Sequence, residues 1–167
     1  MEFETADGLN RAIRLIGLKH RALAGELLGE IGLHPGQEIV LLELDAHGPR
    51  TQIQLAIGCE CEPPTLTQVA QKLEAAGLIT RQPSTSDARA TIVSLTERGQ
   101  ALIGPLRERW ERLAEATVAG LTTTSGETLI DVTADLARSL SAGGARRRMA
   151  RRGGSPRPRD AAAVGDG

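Results

Sequence analysis

Leu9, Ile13, Ile16, Leu23, Leu27 and Ile31 recur at steps of three, four or seven residues, the spacing of one helical face. This pattern predicts a long amphipathic helix over roughly residues 7–31, stopped by Gly32. Pro35 stands where a first helical turn tolerates proline. The next apolar set is Ile39, Val40, Leu41, Leu42 and Leu44, a second helix that ends at His47-Gly48-Pro49. Thr51 reads as the N-cap of a short third helix carrying Ile53, Leu55, Ala56 and Ile57. Gly58-Cys59-Glu60-Cys61 is a tight connection, and Pro63-Pro64 open a fourth helix, because its first turn needs no backbone donors. That helix carries Leu66, Val69, Ala70 and Leu73 and ends at Gly77.

The period then changes. Leu78–Arg81 reads as a short strand, Pro83–Asp87 is turn chemistry and Thr91–Leu95 is a β-branched strand, which together predict a hairpin. Thr96 caps another long helix with Leu102, Leu106, Trp110, Leu113, Thr117 and Leu121 on one face, and Gly104-Pro105 predicts a kink within it. Thr124 and Glu127 have capping-box spacing ahead of a last helix with Leu129, Val132, Leu136 and Leu140. From Ser141 onward no apolar period remains, and residues 141–167 read as a flexible Arg-rich tail.

Composition narrows the fold class. With 40 % hydrophobic and 25 % charged residues the chain has the means to build a core. It has one Trp, one Phe and no Tyr, so that core must come from Leu, Ile, Val and Ala, which favours packed helices. The fold class expected is mainly α (α+β). No apolar run is long enough to span a membrane, and the first residues lack a basic flank and an apolar stretch, so a cytoplasmic protein is expected. The net charge of −1 conceals an asymmetry: −6 over residues 1–140 and +5 over residues 141–167. The tail has two open readings, a solvated arm or a source of nonspecific phosphate contacts.

Two short helices, a tight connection, a further helix and a hairpin make a winged helix-turn-helix. A helix of this kind fits the DNA major groove, and a hairpin beside it reaches phosphates or the minor groove. Pro64, Thr65, Thr67, Gln68, Gln71 and Lys72 fall on the solvent side of the fourth helix, where hydroxyls and amides can read base edges and Lys72 suits a phosphate. Arg89 is the expected wing-tip cation, oriented by Asp87. Thr51, Gln52 and Arg81 complete the candidate contacts with double-stranded DNA.

Three ordered matches carry a resemblance: Leu73-Glu74-Ala75-Ala76-Gly77-Leu78-Ile79-Thr80-Arg81, then Asp87-Ala88-Arg89-Ala90, then Val93-Ser94-Leu95-Thr96-Glu97-Arg98-Gly99. His47-Gly48-Pro49-x-Thr51-Gln52-x-x-Leu55-Ala56 adds a fourth. In these residues the chain resembles the MarR-type transcriptional regulators, from about Leu9 to Leu140. The resemblance implies a homodimer with a helical dimerisation domain, residues 1–32 and 97–140, and a winged helix over residues 33–96. It further implies binding to a pseudo-palindromic operator, repression, and release by a small, often aromatic, ligand, with the protein on the nucleoid when bound to DNA. The family pattern varies at three places here: Gln68 stands where many members carry Arg, Ala88 where many carry a first wing Arg, and His34 where a Thr N-cap is common.

Other residues have bland and functional readings. His20 and Trp110 are candidates to line a ligand crevice, with core packing as the ordinary alternative for Trp110. Cys59 and Cys61 are plain turn residues, a redox switch or part of a metal site; no His lies near them in sequence to complete a metal site, and Glu60 and Glu62 beside them are expected to raise the thiol pKa and argue for the first reading. No metal site and no cofactor are expected. No Gly-rich phosphate loop, nucleophile elbow or His-Glu-x-x-His is present, so an enzyme is not expected. The competing function is a winged-helix protein-interaction module that has lost DNA binding. Its motive is the stretch from Glu60 to Glu74, with three Glu against Lys72.

Overall fold

The computed structural model describes residues 1–84 and 89–152, the last segment (142–152) as backbone alone. Asp87 therefore lies outside the described residues, as does the tail from residue 153 onward. The elements are α1 (Phe3–Gly29), α2 (Gln37–His47), β1 (Arg50–Thr51), α3 (Gln52–Gly58), α4 (Pro63–Ala75), β2 (Ile79–Pro83), β3 (Thr91–Leu95), α5 (Glu97–Val118) and α6 (Gly126–Arg152). The chain is mainly helical with one small antiparallel sheet, as its periodicity predicts. Met1–Gly120 form one compact unit, and a second begins at Leu121.

Local chemistry explains most boundaries. Gly32 (φ 74°) and Gly77 (φ 70°) hold the left-handed conformation that lets the chain leave α1 and α4. Behind them the Leu33 and Leu78 amides return to the Leu28 and Leu73 carbonyls, at 2.9 and 3.0 Å. Thr51 forms the expected cap in full: its Oγ1 accepts from the Gln54 amide, and its own amide donates to Gln54 Oε1 at 2.9 Å. Thr96 caps α5 by accepting from the Gly99 amide at 3.0 Å. Where the family often has Thr, α2 starts by another device. Gln37 Oε1 accepts from the His34 amide, and the buried Glu38 carboxylate accepts from the Gly36 amide at 2.6 Å. Burial raises the Glu38 pKa, and hydrogen bonds from its own amide and that of Gly36 pull against that rise.

Four sequence expectations need correction. The sheet has three strands, not two: Arg50 and Thr51 pair with Val93 and Ile92, in the order β1-β3-β2. Two residues carry no period to read. α1 begins at Phe3, ahead of the expected residue 7. Ser125, not Thr124, caps α6, its Oγ accepting from the Thr128 amide at 3.2 Å. Finally, α6 continues to Arg152, into the stretch expected to be flexible from residue 141. Ala and Arg propagate a helix well, and the first prolines of that region come later, at 156 and 158. Pro105 lies inside α5, which runs on as one helix.

The core of the first unit gathers Leu27 and Leu28 of α1, Val40, Leu41 and Leu44 of α2, Leu55, Leu66 and Leu73 of α3 and α4, Val93 of β3 and Ile103, Leu106 and Leu113 of α5. Burying each of these side chains contributes on the order of 1.5–3 kcal/mol. The N-terminal half of α1 stays out of this core. Leu9, Ile13 and Ile16 on one side, and Leu15 and Leu18 on the other, are each at least 43 % exposed. α6 likewise leaves Ile130, Val132, Leu136 and Leu140 exposed.

Candidate nucleic-acid interface

α4 buries Leu66, Ala70 and Leu73 and turns the opposite side outward. At about 100° per residue, Pro64, Gln68, Gln71 and Lys72 fall within one arc of that outer side, with Thr65 and Thr67 at its edges. Pro64, Thr65, Gln68, Gln71 and Lys72 are exposed. Their side chains make no hydrogen bond or ion pair among the described residues. Thr67 is half-buried, and its Oγ1 donates to the Pro63 carbonyl at 2.9 Å, which leaves it only as an acceptor toward a partner.

The hairpin of β2 and β3 stands beside this helix, in register from Ile79↔Leu95 to Pro83↔Thr91, and the Ser84 amide closes on the Ala90 carbonyl at 2.8 Å. Arg89 is exposed near the tip. It faces the start of α3 across a hollow of about 330 Å³ that Thr51, Gln52 and Thr91 also line. The structure thus brings Thr51, Gln52 and Arg89 to one place. Arg81 has a different employment. Its Nε and Nη2 both donate to Glu74 Oε2, at 2.9 and 2.6 Å, tying β2 to α4. The same hydrogen bonds hold the Glu74 carboxyl below its ordinary pKa. Thr51 is similarly committed to its capping box.

The turn between α3 and α4 is tight, with the Cys61 amide donating to the Ala56 carbonyl at 3.0 Å. Glu60 sits in it with φ 49°, a conformation that glycine adopts without cost. The thiol pKa of Cys59 is pushed up to about 11, first by burial, then by Cys61 and by Glu43 of α2. The direction agrees with the sequence expectation, but the acidic neighbour is Glu43, not Glu60 or Glu62. At pH 8 about one Cys59 thiol in a thousand is then ionised. Native protein should alkylate at Cys59 on the order of 100-fold more slowly than urea-unfolded protein, followed by peptide mass spectrometry after iodoacetamide treatment. Equal rates would reinstate a reactive sensor.

His20 lines a hollow of about 260 Å³ with Ile16, Lys19 and Leu23 of α1 and Ala116 and Thr117 of α5. Trp110 is not among its lining residues and packs half-buried against the core, so the two ligand candidates do not meet there. Among the described residues no group of three or more His, Cys, Asp or Glu could hold a metal ion, and no helix is long and apolar enough to cross a membrane.

Fold and exposed surface together define a winged helix-turn-helix protein. Residues 33–91 match the MarR family, the family that the motifs from Leu73 to Gly99 resemble. The chain is similar to a probable transcriptional regulator from Pseudomonas aeruginosa, at 29 % identity over 77 % of this chain and 96 % of that one, with a TM-score of 0.71. Its fold is shared with a mutant MarR from E. coli in complex with operator DNA (23 % identity, 81 % and 98 % covered, TM-score 0.72). It is shared also with Bordetella bronchiseptica BpsR, whose DNA binding is regulated by 6-hydroxynicotinic acid (20 % identity, 78 % and 98 % covered, TM-score 0.71).

Proposed function

We propose that the protein is a sequence-specific transcriptional repressor that binds a pseudo-palindromic operator as a homodimer. The observation that carries this reading is the outer face of α4, whose amides, hydroxyl and ammonium group have no partner of their own among the described residues. In the major groove Gln68 and Gln71 suit adenine, which an amide bridges through two hydrogen bonds, and Lys72 suits a phosphate. Arg89, Thr51 and Gln52 lie at the wing side, where backbone or minor-groove contact follows. Residues 33–96 do the reading, while the helices of residues 1–32 and 97–140 join two subunits. The exposed apolar sides of α1 support that join. A small aromatic ligand, seated beside His20 and Lys19, releases the DNA. The protein acts in the cytoplasm, on the nucleoid.

The test is selection of bound duplexes from a random pool, followed by two variants. Gln68→Ala should relax preference at one base position by about 1–3 kcal/mol, while Arg89→Ala weakens all sequences alike. A pool that shows no enrichment sinks the reading. A second reading, a protein-interaction module, draws on two features: Arg81 is already bound to Glu74, and the stretch from Glu60 to Glu74 has three Glu against Lys72 alone. Duplex affinity that stays absent at low salt would favour it.

A further inference from the structure

Asp45 lies on α2, inside the winged helix, and is mostly buried, its side chain 13 % exposed. Both of its carboxylate oxygens are taken by side chains of α5. Gln100 Nε2 donates to Oδ1 at 3.2 Å and Arg107 Nη2 to Oδ2 at 2.6 Å. The two donors are seven residues apart, two turns of one helix, so a single carboxylate is braced at two points about 10 Å apart along α5. The apolar residues between α2 and α5 favour a crossing angle but leave it a scatter of about 15–20°, as ridge-into-groove packing does. The hydrogen bonds from Gln100 and Arg107 are directional, and they select within that scatter.

We propose that the Asp45 brace sets the angle of the winged helix on α5 and thereby the half-site spacing that a dimer accepts. Asp45, Gln100 and Arg107 are positioning residues here and need touch no DNA. The inference rests on the DNA-binding, dimeric reading above. α5 spans 22 residues, about 33 Å, so a tilt of about 5° at its start displaces its far end by about 3 Å. That is close to one base-pair step, about 3.4 Å along the duplex. A tilt too small to disturb the core is therefore large enough to change which spacing fits. α5 is tied on its other side as well, where Arg109 and Arg112 both donate to Glu30 beyond the end of α1, at 3.0 and 3.1 Å. The helix is thus anchored to the subunit-joining end independently of Asp45.

The experiment measures full-length protein against operators selected for the wild type, with the two half-sites moved apart or together by one base pair. The wild type should lose about tenfold or more in affinity per base pair of misfit. Asp45→Ala should flatten this profile to within about threefold while binding to an isolated half-site is unchanged. Arg107→Ala changes an exposed residue of α5, so it folds even where Asp45→Ala does not, and it should flatten the profile in the same way. Asp45→Glu should restore part of the discrimination. A merely structural role would lower affinity for every spacing equally, and that result overturns the proposal. So does a sharp optimum kept by both alanine variants. A wild type that binds no duplex at any spacing overturns the DNA-binding reading itself, and this inference with it.

Discussion

Gly99→Ala is expected to destabilise the protein by about 3 kcal/mol, and to lower its melting temperature by roughly 6–12 °C. Gly99 lies in the first turn of α5, where the helix crosses the link between α4 and β2. A Cβ there would overlap the carbonyl oxygen of Leu78, lie 3.0 Å from its carbonyl carbon and 3.3 Å from Leu95 Cδ2. The main obstacle is backbone, and that backbone is held. The Leu78 carbonyl accepts from the Thr96 amide at 3.0 Å, and Thr96 Oγ1 donates to the neighbouring Gly77 carbonyl at 2.7 Å. Relief therefore requires α5 and the wing to separate, which breaks several bonds together. Gly104→Ala in the same helix is the control. Nothing lies within 4 Å of its Cβ position, so it should be neutral or gain up to about 1 kcal/mol from helix propensity. Urea denaturation of both variants checks the pair, and equal midpoints would mean that the junction is looser than its geometry.

The second large effect is on assembly. Ile13→Asp should convert a dimer of about twice 17.7 kDa into a monomer, seen by sedimentation at micromolar concentration. Ile13 is 43 % exposed within the single chain and takes no part in the core, so the winged helix has no reason to unfold. A buried aspartate in a dimer interface, however, loses its hydration without gaining a partner. If two winged helices grip one operator, losing the second grip should weaken binding by on the order of 10²–10⁴-fold. A variant that sediments as the wild type does would remove α1 from the interface.

The elements that announce themselves by spacing and caps were legible from the residues alone. The stripe of Leu9 to Ile31, the Thr51 and Thr96 caps, the Pro63-Pro64 opening and the β-branched Thr91–Leu95 strand all act over a few neighbouring residues. What escaped is long-range or too short to have a period. β1 is two residues whose pairing depends on Val93 and Ile92, some 40 positions away. The Asp45 brace spans 55 and 62 positions, and no local pattern marks it. The pair of Arg81 and Glu74 is seven residues apart across a helix end and a glycine turn, which put a predicted DNA contact to work inside the chain. Cys59 illustrates the same limit, since its acidic neighbour comes from α2 and not from its own turn. The outer face of α4 was legible because a helix exposes what it does not bury.

The distance in sequence between α1 and its anchor on α5 also orders the events of folding. Glu30, at the exit of α1, meets Arg109 and Arg112 about 80 residues later, whereas the contacts that build residues 33–96 are closed by much shorter loops. Short loops close first, because the entropy lost grows with the chain between the ends. On a ribosome, α1 precedes α5 by the whole length of the winged helix, so the side of α1 that carries Leu27 and Leu28 waits for its full core until α5 emerges. Residues 33–96 can thus assemble before α1 is tied to α5, and the exposed interval of α1 is the stage at which a nascent chain is most open to chaperones and to aggregation.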